Sequence, residues 1–465
     1  MLRGGEQALS EPKKTKSTDP RVLLCTAYRR FRHDYWDIAG QPFIHRFPRV
    51  AVPLRISPGL RFIKQNVPEV EILEYPEWPE YVEKLRQGWD IIGFSFYQHQ
   101  INEIRRMIEE ARRQRVREIW AGNFGAMDHT IPGLVDRVIL GPGEDAVAQL
   151  FGYRVSQDEI EHPALLVHLS ILPGIRHFTF GLLHTERGCP YRCSFCPTPV
   201  FEPRRTTVNL ESIDRLLAYY RKIGVRELVL TDELFGSNPQ YTDRLTDLFS
   251  RYRFRWWAQS RVEFSLRNLD VWYERGMRAA PIGVESMSQT ALDSVNKQQR
   301  LEKIIEFARR IREKPGLLGV AYFIIGYENM TAEETLRDAV RYKALGFDVN
   351  GATILTPYPR TPLWDELDRK YGIFDSDCSH YDQTHLVWHH PHISPAEMRD
   401  LRALVKNFLN RPFDVLYRGI KRAIWEELRK QGGPFFWRAL VKGPIASLGI
   451  DDRRPVYFSR TKKPV

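Results

Sequence analysis

The sequence predicts an α/β protein: a doubly wound parallel sheet (Rossmann-like), then a partial (β/α)6 barrel of the TIM type, then a helical C-terminal region. Three observations predict it. Short apolar runs alternate with helical patterns from Arg21 to about Gly152. A second, longer series of six strand–helix units follows from Arg176. Three of the chain's five cysteines, Cys189, Cys193 and Cys196, fall on one loop directly after the first strand of that second series.

Residues 1–19 are polar, carry Gly, Pro, Ser and Lys, and have no apolar signal core, so they read as a disordered leader. "RVLLCTAY" opens the first sheet, and "VEILEY", "DIIGFSFY", "REIWAGN" and "RVILGPG" follow, each apolar enough to be buried on both faces. A helix is predicted over Ile101–Arg113, where Ile101, Ile104 and Ile108 recur at helical spacing. Ligands of such sheets bind beyond the carboxyl ends of the strands, which here carry "FSFYQHQ", "AGNFGAMDH" and "GPGED". Glycines there allow close backbone approach. The first domain therefore spans 20–152, and residues 153–175 read as a linker with one short amphipathic piece.

The barrel is placed at 176–375. Its strands are "RHFTFGLL", "ELVLTD", "RWWAQSR", "RAAPIGVES", "LGVAYFIIG" and "NGATILTP". Helices fit between them over Leu210–Ile223, Pro239–Tyr252, Leu301–Arg312 and Thr331–Leu345, the last with a "TAEE" capping start. Function on such barrels sits at the carboxyl ends of the strands. Residues 376–465 form the C-terminal region, with a helix over Ser394–Leu409 and then a basic, aromatic tail.

Composition narrows the function classes. No apolar run is long enough to span a bilayer, and an odd, small cysteine count argues against a disulfide framework and for a reducing cytoplasm. The net charge is +11, and from Arg411 onward 13 Lys/Arg stand against 5 Asp/Glu, an excess of +8. That tail holds "DVLYRGIKRAIWEELRK", with Leu416, Ile420 and Ile424 at four-residue spacing, and "GGPFFWRALVKGP". It reads either as an interfacial helix on the inner membrane face or as a helix packed on the barrel with its charges in water. No recognisable module ties the basic residues to nucleic acid.

The cysteine loop, "ERGCPYRCSFCPTP", has the spacing Cys-x3-Cys-x2-Cys. Three thiolates on one loop suit three corners of an iron–sulfur cube, leaving one iron open for chemistry. A zinc site is the alternative, with His184 or Cys378 as fourth ligand. In "HLVWHHPH", His385 and His389 are spaced as metal ligands on one helix face, but Pro391 opposes a long helix and surface or substrate-pocket histidines are the blander reading. Cys378 reads as an incidental small apolar residue.

"CPYRCSFC" resembles the cluster loop of the radical S-adenosylmethionine (SAM) superfamily, including Phe195 before the last cysteine. The resemblance runs over roughly Thr179 to Pro362. It implies a 4Fe–4S cluster on Cys189, Cys193 and Cys196, SAM on the open iron, and a 5′-deoxyadenosyl radical that abstracts hydrogen from an unactivated carbon. "LTDELF" is similar to the "DD-F" stretch of that family and nominates Asp232 and Glu233. "AQSRVE" nominates Arg261 for the cofactor carboxylate. "IGVESMS" resembles the "GIES" strand end and nominates Gly283, Glu285 and Ser286. "FIIGYENMTAEE" resembles the "IIG-PGE" strand end; Tyr-Glu-Asn stands where Pro-Gly-Glu is usual, so Gly326 is carried over and Glu328 is left in doubt. "LTPYPRTPLW" resembles the last strand of the class with an attached cobalamin-type domain.

A doubly wound domain directly before the barrel also resembles that class. It implies cobalamin beside Ser95, Tyr97, Gly122, Asn123, Gly141, Gly143 and Glu144. The Asp-x-His-x-x-Gly lower-ligand motif of many cobalamin proteins is absent; the loop after the first strand holds His33 and His45 outside that pattern. A vestigial domain that merely caps the barrel is the alternative. The reading implied is C-methylation of a hydrophobic, lipid-like or tetrapyrrole small molecule, with flavodoxin or ferredoxin as reductant. Radical cyclisation, coupling or rearrangement is the second reading, and an iron–sulfur electron carrier or sensor the third.

Overall fold

In the computed structural model the described residues are 19–29, 56–172, 175–410, 447–448 and 457–458. The leader, His33, His45 and most of the basic tail lie outside them. The first domain runs β1 (Val22–Thr26), α1 (Pro58–Asn66), β2 (Glu71–Leu73), α2 (Trp78–Leu85), β3 (Ile91–Ser95), α3 (Ile101–Arg113), β4 (Glu118–Gly122), β5 (Arg137–Ile139) and α4 (Glu144–Ala148). Its five strands are all parallel in the order β2-β1-β3-β4-β5. This is a doubly wound order with its switch point between β1 and β3.

Alternation along the strands makes two cores. Val22 and Leu24 of β1 join one cluster with Leu60, Phe62 and Val147, while Leu23 and Cys25 join the other with Tyr81, Ile92 and Ile104. The expectation that every strand is buried on both faces holds for the centre of the sheet. It fails for β2 and β5, short edge strands whose first residues are exposed. Helix α3 occupies the predicted span and buries Ile101, Ile104, Met107 and Ile108.

The predicted linker is corrected in its second half. Residues 165–172 form a strand, β6 (Leu165–Leu172), which pairs antiparallel with β7 (Ile175–Leu183). An apolar run of eight residues beside a strand edge gains more by pairing than by crossing the surface as loop. Then follow β8 (Glu186–Arg187), α5 (Thr198–Phe201), β9 (Thr206–Thr207), α6 (Leu210–Lys222), β10 (Glu227–Leu230), α7 (Pro239–Arg251), β11 (Arg255–Ala258), α8 (Val262–Glu274), β12 (Met277–Glu285), α9 (Gln289–Ser294), α10 (Leu301–Arg312), β13 (Leu318–Ile325), α11 (Ala332–Ala344), β14 (Val349–Ile354), α12 (Pro362–Tyr371), α13 (Pro395–Leu409) and β15 (Ser447–Leu448).

The second sheet has the order β14-β13-β12-β11-β10-β7-β6-β15. Six parallel strands in chain order with helices between them form the expected partial barrel, closed at one edge by the antiparallel β6 and β15. Helix α8 was absent from the expected set. Its burial of Val262, Leu266, Leu269 and Trp272 shows the apolar face that the sequence carried. Helix α11 has the capping box expected from "TAEE", and Ser394 caps α13 in the same way.

One core joins the domains: Leu60, Phe62 and Val147 pack with Leu165, Leu183 and Leu216. Beyond α12 the chain returns to the first domain, where Cys378 is buried in the second core and Asp377 accepts from Asn102 at 2.9 Å. Among the described residues no helix is long and apolar enough to cross a membrane.

Candidate active site

The cysteine loop stands on a two-stranded antiparallel stalk, β8 and β9. Consecutive strand residues point to opposite sides, and here they anchor the stalk twice. The Glu186 carboxylate accepts from Gly236 N and Thr242 Oγ1 at 2.9 Å, Ser237 Oγ at 2.6 Å and Asn238 N at 3.0 Å, filling the N-terminus of α7. Arg187 turns the other way and donates to Glu144 Oε1 at 2.8 Å, with its guanidinium 4.7 Å over the Phe62 ring. Gly188 has φ +75°, and a Cβ there would lie 2.5 Å from Arg204 O. The loop's two ends can meet only because residue 188 has no side chain.

Inside the loop, Cys196 N donates to Cys193 O at 3.0 Å. Ser194 N donates to Val295 O, Leu363 N donates to Ser194 O, and Asn296 Nδ2 donates to Arg192 O at 2.9 Å. The loop is thus held from the α9 and α12 sides. Burial pushes the Cys196 thiol up to about 11, and pushes Cys189 up against the pull of Arg261 and Lys297. Metal coordination strips such protons outright.

The donor set tests which metal group fits. Among the described residues no group of three or more His, Cys, Asp or Glu is placed to hold a single metal ion. Zinc ligands converge on one centre. Three soft thiols on separate positions fit a cube in which each binds a different iron. The histidines of "HLVWHHPH" are not brought together on a helix. His385 bonds Asp382 at 3.0 Å, His389 packs on Phe374, and His390 meets Tyr327 O at 3.0 Å.

The remaining expected residues separate into those facing the site and those turned from it. Arg261 stacks 3.8 Å over Tyr191 and donates through Nη2 to Lys297 O and Gln298 O, at 2.7 and 2.9 Å. Glu285, at φ +65°, accepts from Lys297 Nζ at 2.7 Å, and a Cβ on Gly283 would lie 2.1 Å from the Glu285 carboxylate. Glu233 Oε2 is buried without a hydrogen-bond partner, 3.9 Å from His184 Nε2. Phe195 is half-buried against the main core. Gly326 has φ +83°, and a Cβ would press on Met398.

Three of the expected residues have their side chains engaged within the protein. The Asp232 carboxylate is taken by Thr185, whose N and Oγ1 both donate at 2.5 Å, so it locks β7 to β10. Burial and neighbouring Glu186 raise its pKa well above the ordinary range. Ser286 is fully buried and donates to Asp338 at 2.6 Å, tying β12 to α11. Glu144 is spent on Arg187. Glu328 pairs with Lys370 at 3.0 Å.

At the first domain's carboxyl edge, Ser95 pairs in register with Gly122, and Asn123 (φ +69°) reaches back to Ser95 Oγ at 3.4 Å. Gly143 packs against Ile63, and Gly141 against Phe201. Tyr97 is 42% exposed, yet desolvation pushes its phenol up. Half-buried Tyr358 behaves alike, pushed up to about 12 by burial, with the Cys196 thiol among its neighbours. A polar cleft of about 260 Å3, lined by Asp158, Glu186, Arg205 and Ser237 among others, lies at the foot of the stalk and includes none of the thiols.

Sequence reasoning missed Arg187, Lys297 and Glu202, and considered His184 only as a zinc ligand. Strand alternation in "HTERG" carried a signal for Arg187; nothing local marked Lys297 or Glu202. His184 Nδ1 donates to Thr231 O at 3.2 Å, and burial keeps its imidazole below the ordinary pKa. Burial pushes Glu202 up to about 8.

A partial barrel carries three thiols after its first strand and an arginine at its third strand end. Residues 184–340 match the Radical SAM superfamily. The chain is 31% identical over 194 residues to an uncharacterized methyltransferase of Pyrococcus horikoshii, covering 40% of this chain and 41% of that one. It is 26% identical over 262 residues to the bacteriochlorophyllide d C-12(1)-methyltransferase of Chlorobaculum tepidum, covering 54% of each. The chain thus spans about half the length of these curated relatives. Its fold resembles the radical SAM methyltransferase TsrM of Kitasatospora setae, with TM-score 0.62 and 16% identity over 85% of this chain and 90% of that one.

Proposed function

We propose that this chain is a cobalamin-dependent radical SAM methyltransferase acting on an unactivated carbon of a hydrophobic small molecule of tetrapyrrole or lipid-like class. The observation that carries the reading is that the cysteine loop is fastened to the carboxyl-edge side of a doubly wound sheet, through Arg187 on Glu144 and Phe201 on Phe124. The naming of one relative for bacteriochlorophyllide methylation supports the substrate class.

Cys189, Cys193 and Cys196 would hold a 4Fe–4S cluster, which when bound supplies the electron for reductive cleavage of SAM and so the radical that abstracts hydrogen. The protein's own part is positioning and exclusion. Arg261, fixed by Tyr191 and two backbone carbonyls, presents Nη1, which has no hydrogen-bond partner among the described residues, to a carboxylate. The oxygen of Glu233 that is buried without a hydrogen-bond partner would accept a donor of the adenosine moiety. Ser95, Tyr97, Gly122, Asn123, Gly141 and Gly143 form the edge against which the corrin would lie. The domain boundaries follow as 20–152 and 176–375, with β6 joined to the barrel. The reductant is a flavodoxin or ferredoxin, and the enzyme is cytoplasmic, its basic tail making peripheral contact with the inner membrane face.

Anaerobic turnover with methyl-labelled SAM, hydroxocobalamin and tetrapyrrole or lipid acceptors tests this. Label in the product, with S-adenosylhomocysteine and 5′-deoxyadenosine both released, is expected. Deoxyadenosine with no transfer of label to any acceptor would point to cyclisation or rearrangement instead.

A further inference from the structure

The stalk of the cysteine loop is fastened to the first domain as firmly as to the barrel. Arg187, two residues before Cys189, and Glu144, at the start of α4, form a pair whose side chains are 7% and 2% exposed. Arg187 also reaches Gln157 Oε1 at 3.4 Å. The far end of the same loop makes further contacts. The Phe201 ring lies 4.7 Å from Phe124, which directly follows the β4 edge, and a Cβ on Gly141 would sit 3.4 Å from Phe201 O. The thiol loop and the first sheet's carboxyl edge are therefore braced against shared residues. Arg187 faces Glu144, Glu202 and Glu233, of which Glu144 Oε2 and Glu202 Oε1 are buried without partners. Removing the guanidinium would leave the buried Glu144 carboxylate without its cation beside two further acidic side chains, so the closed arrangement depends on it.

We propose that Arg187 is a positioning residue that couples the two cofactor sites, so that loading of the three thiols and occupancy of the first domain's carboxyl edge each raise the affinity of the other. The proposal rests on the corrinoid reading of that edge. Coupling between sites is a free energy and is reciprocal, so it can be read from either side.

The experiment is anaerobic absorbance titration of the full chain with hydroxocobalamin, with and without reconstituted cluster. In the wild type the cluster-loaded form should bind at least about fivefold more tightly, the lower end of ordinary coupling factors. Arg187→Gln and Glu144→Gln should bring that ratio to within about twofold of unity. Arg187→Lys, which keeps the charge and loses the fork, should restore part of it. A merely structural arginine would weaken binding equally in both forms and leave the ratio intact; that result overturns the proposal, as does a wild-type ratio of one. If Arg187→Gln does not fold, the Lys and Glu144 variants carry the same comparison. Absence of any corrinoid spectrum in the wild type would remove the underlying reading, and the proposal with it.

Discussion

Glu186→Gln isolates how the cysteine loop is anchored. The carboxylate takes one backbone N–H on each oxygen: Gly236 N on Oε1 and Asn238 N on Oε2. Each oxygen also takes one hydroxyl, from Thr242 and Ser237. The hydroxyls can rotate to accept from an amide, and Thr242 has Asn238 O at 2.7 Å as a second acceptor. The backbone N–H groups cannot reverse. Whichever way the glutamine amide is placed, its NH2 meets one of them, and that donor loses its acceptor. Loss of a charge-assisted hydrogen bond costs about 1.5–3 kcal/mol. Removing a carboxylate from the positive end of α7 adds about 0.3–2 kcal/mol. The expected destabilisation is therefore about 2–5 kcal/mol. It would be measured by urea unfolding of the cluster-free chain, followed by circular dichroism. Iron retained after anaerobic reconstitution should fall as well, since the stalk holds the thiols. A variant within about 0.5 kcal/mol of wild type, the range of ordinary surface substitutions, would refute the assignment of Glu186 as an anchor.

Single alanine replacements of Cys189, Cys193 and Cys196 should each abolish iron binding and deoxyadenosine formation, while Cys378→Ala, in the second core, should retain both; iron assay and product chromatography decide. Ser286→Ala should cost about 1–3 kcal/mol by stripping Asp338 of a buried donor, while SAM affinity stays within about twofold, because the hydroxyl faces α11. A several-fold loss of SAM affinity would restore Ser286 as a cofactor contact. Glu202 retains its proton in the folded state up to about pH 8 and loses it near 4.5 when unfolded, so its contribution is largest below pH 4.5 and declines as pH rises to about 8. Glu202→Gln keeps the neutral shape. Its stability relative to wild type should therefore rise by up to about 1.4 kcal/mol per pH unit in that window, and a pH-independent difference would show that Glu202 is ionised in the fold.

What the sequence made legible follows from the range of the forces involved. Strand runs and several helix spans were readable because they rest on periodicity: Ile101, Ile104 and Ile108 bury one face of α3 as their spacing requires. The three thiols were readable because their spacing is local. Strand β6 was missed because its evidence is the neighbouring edge of β7, which composition does not show. Asp232 and Ser286 were legible as residues of motifs but not as contacts. Their side chains bond Thr185 and Asp338, 47 and 52 residues away in sequence.

The same limit explains Arg187. It stands inside the loop quoted for its cysteines, yet its partner Glu144 is 43 residues earlier, in another domain. Read separately, Glu144 is a strand-end acid suited to a ligand, and Arg187 a solvated cation. Together they form a buried pair that neither alone could sustain, since an unpaired charge in that setting is strongly destabilising. A glutamate at the carboxyl edge of a doubly wound sheet therefore need not touch the ligand bound there. Here it holds the cysteine loop through Arg187, and the first domain is thereby fastened to the stalk that carries the thiols.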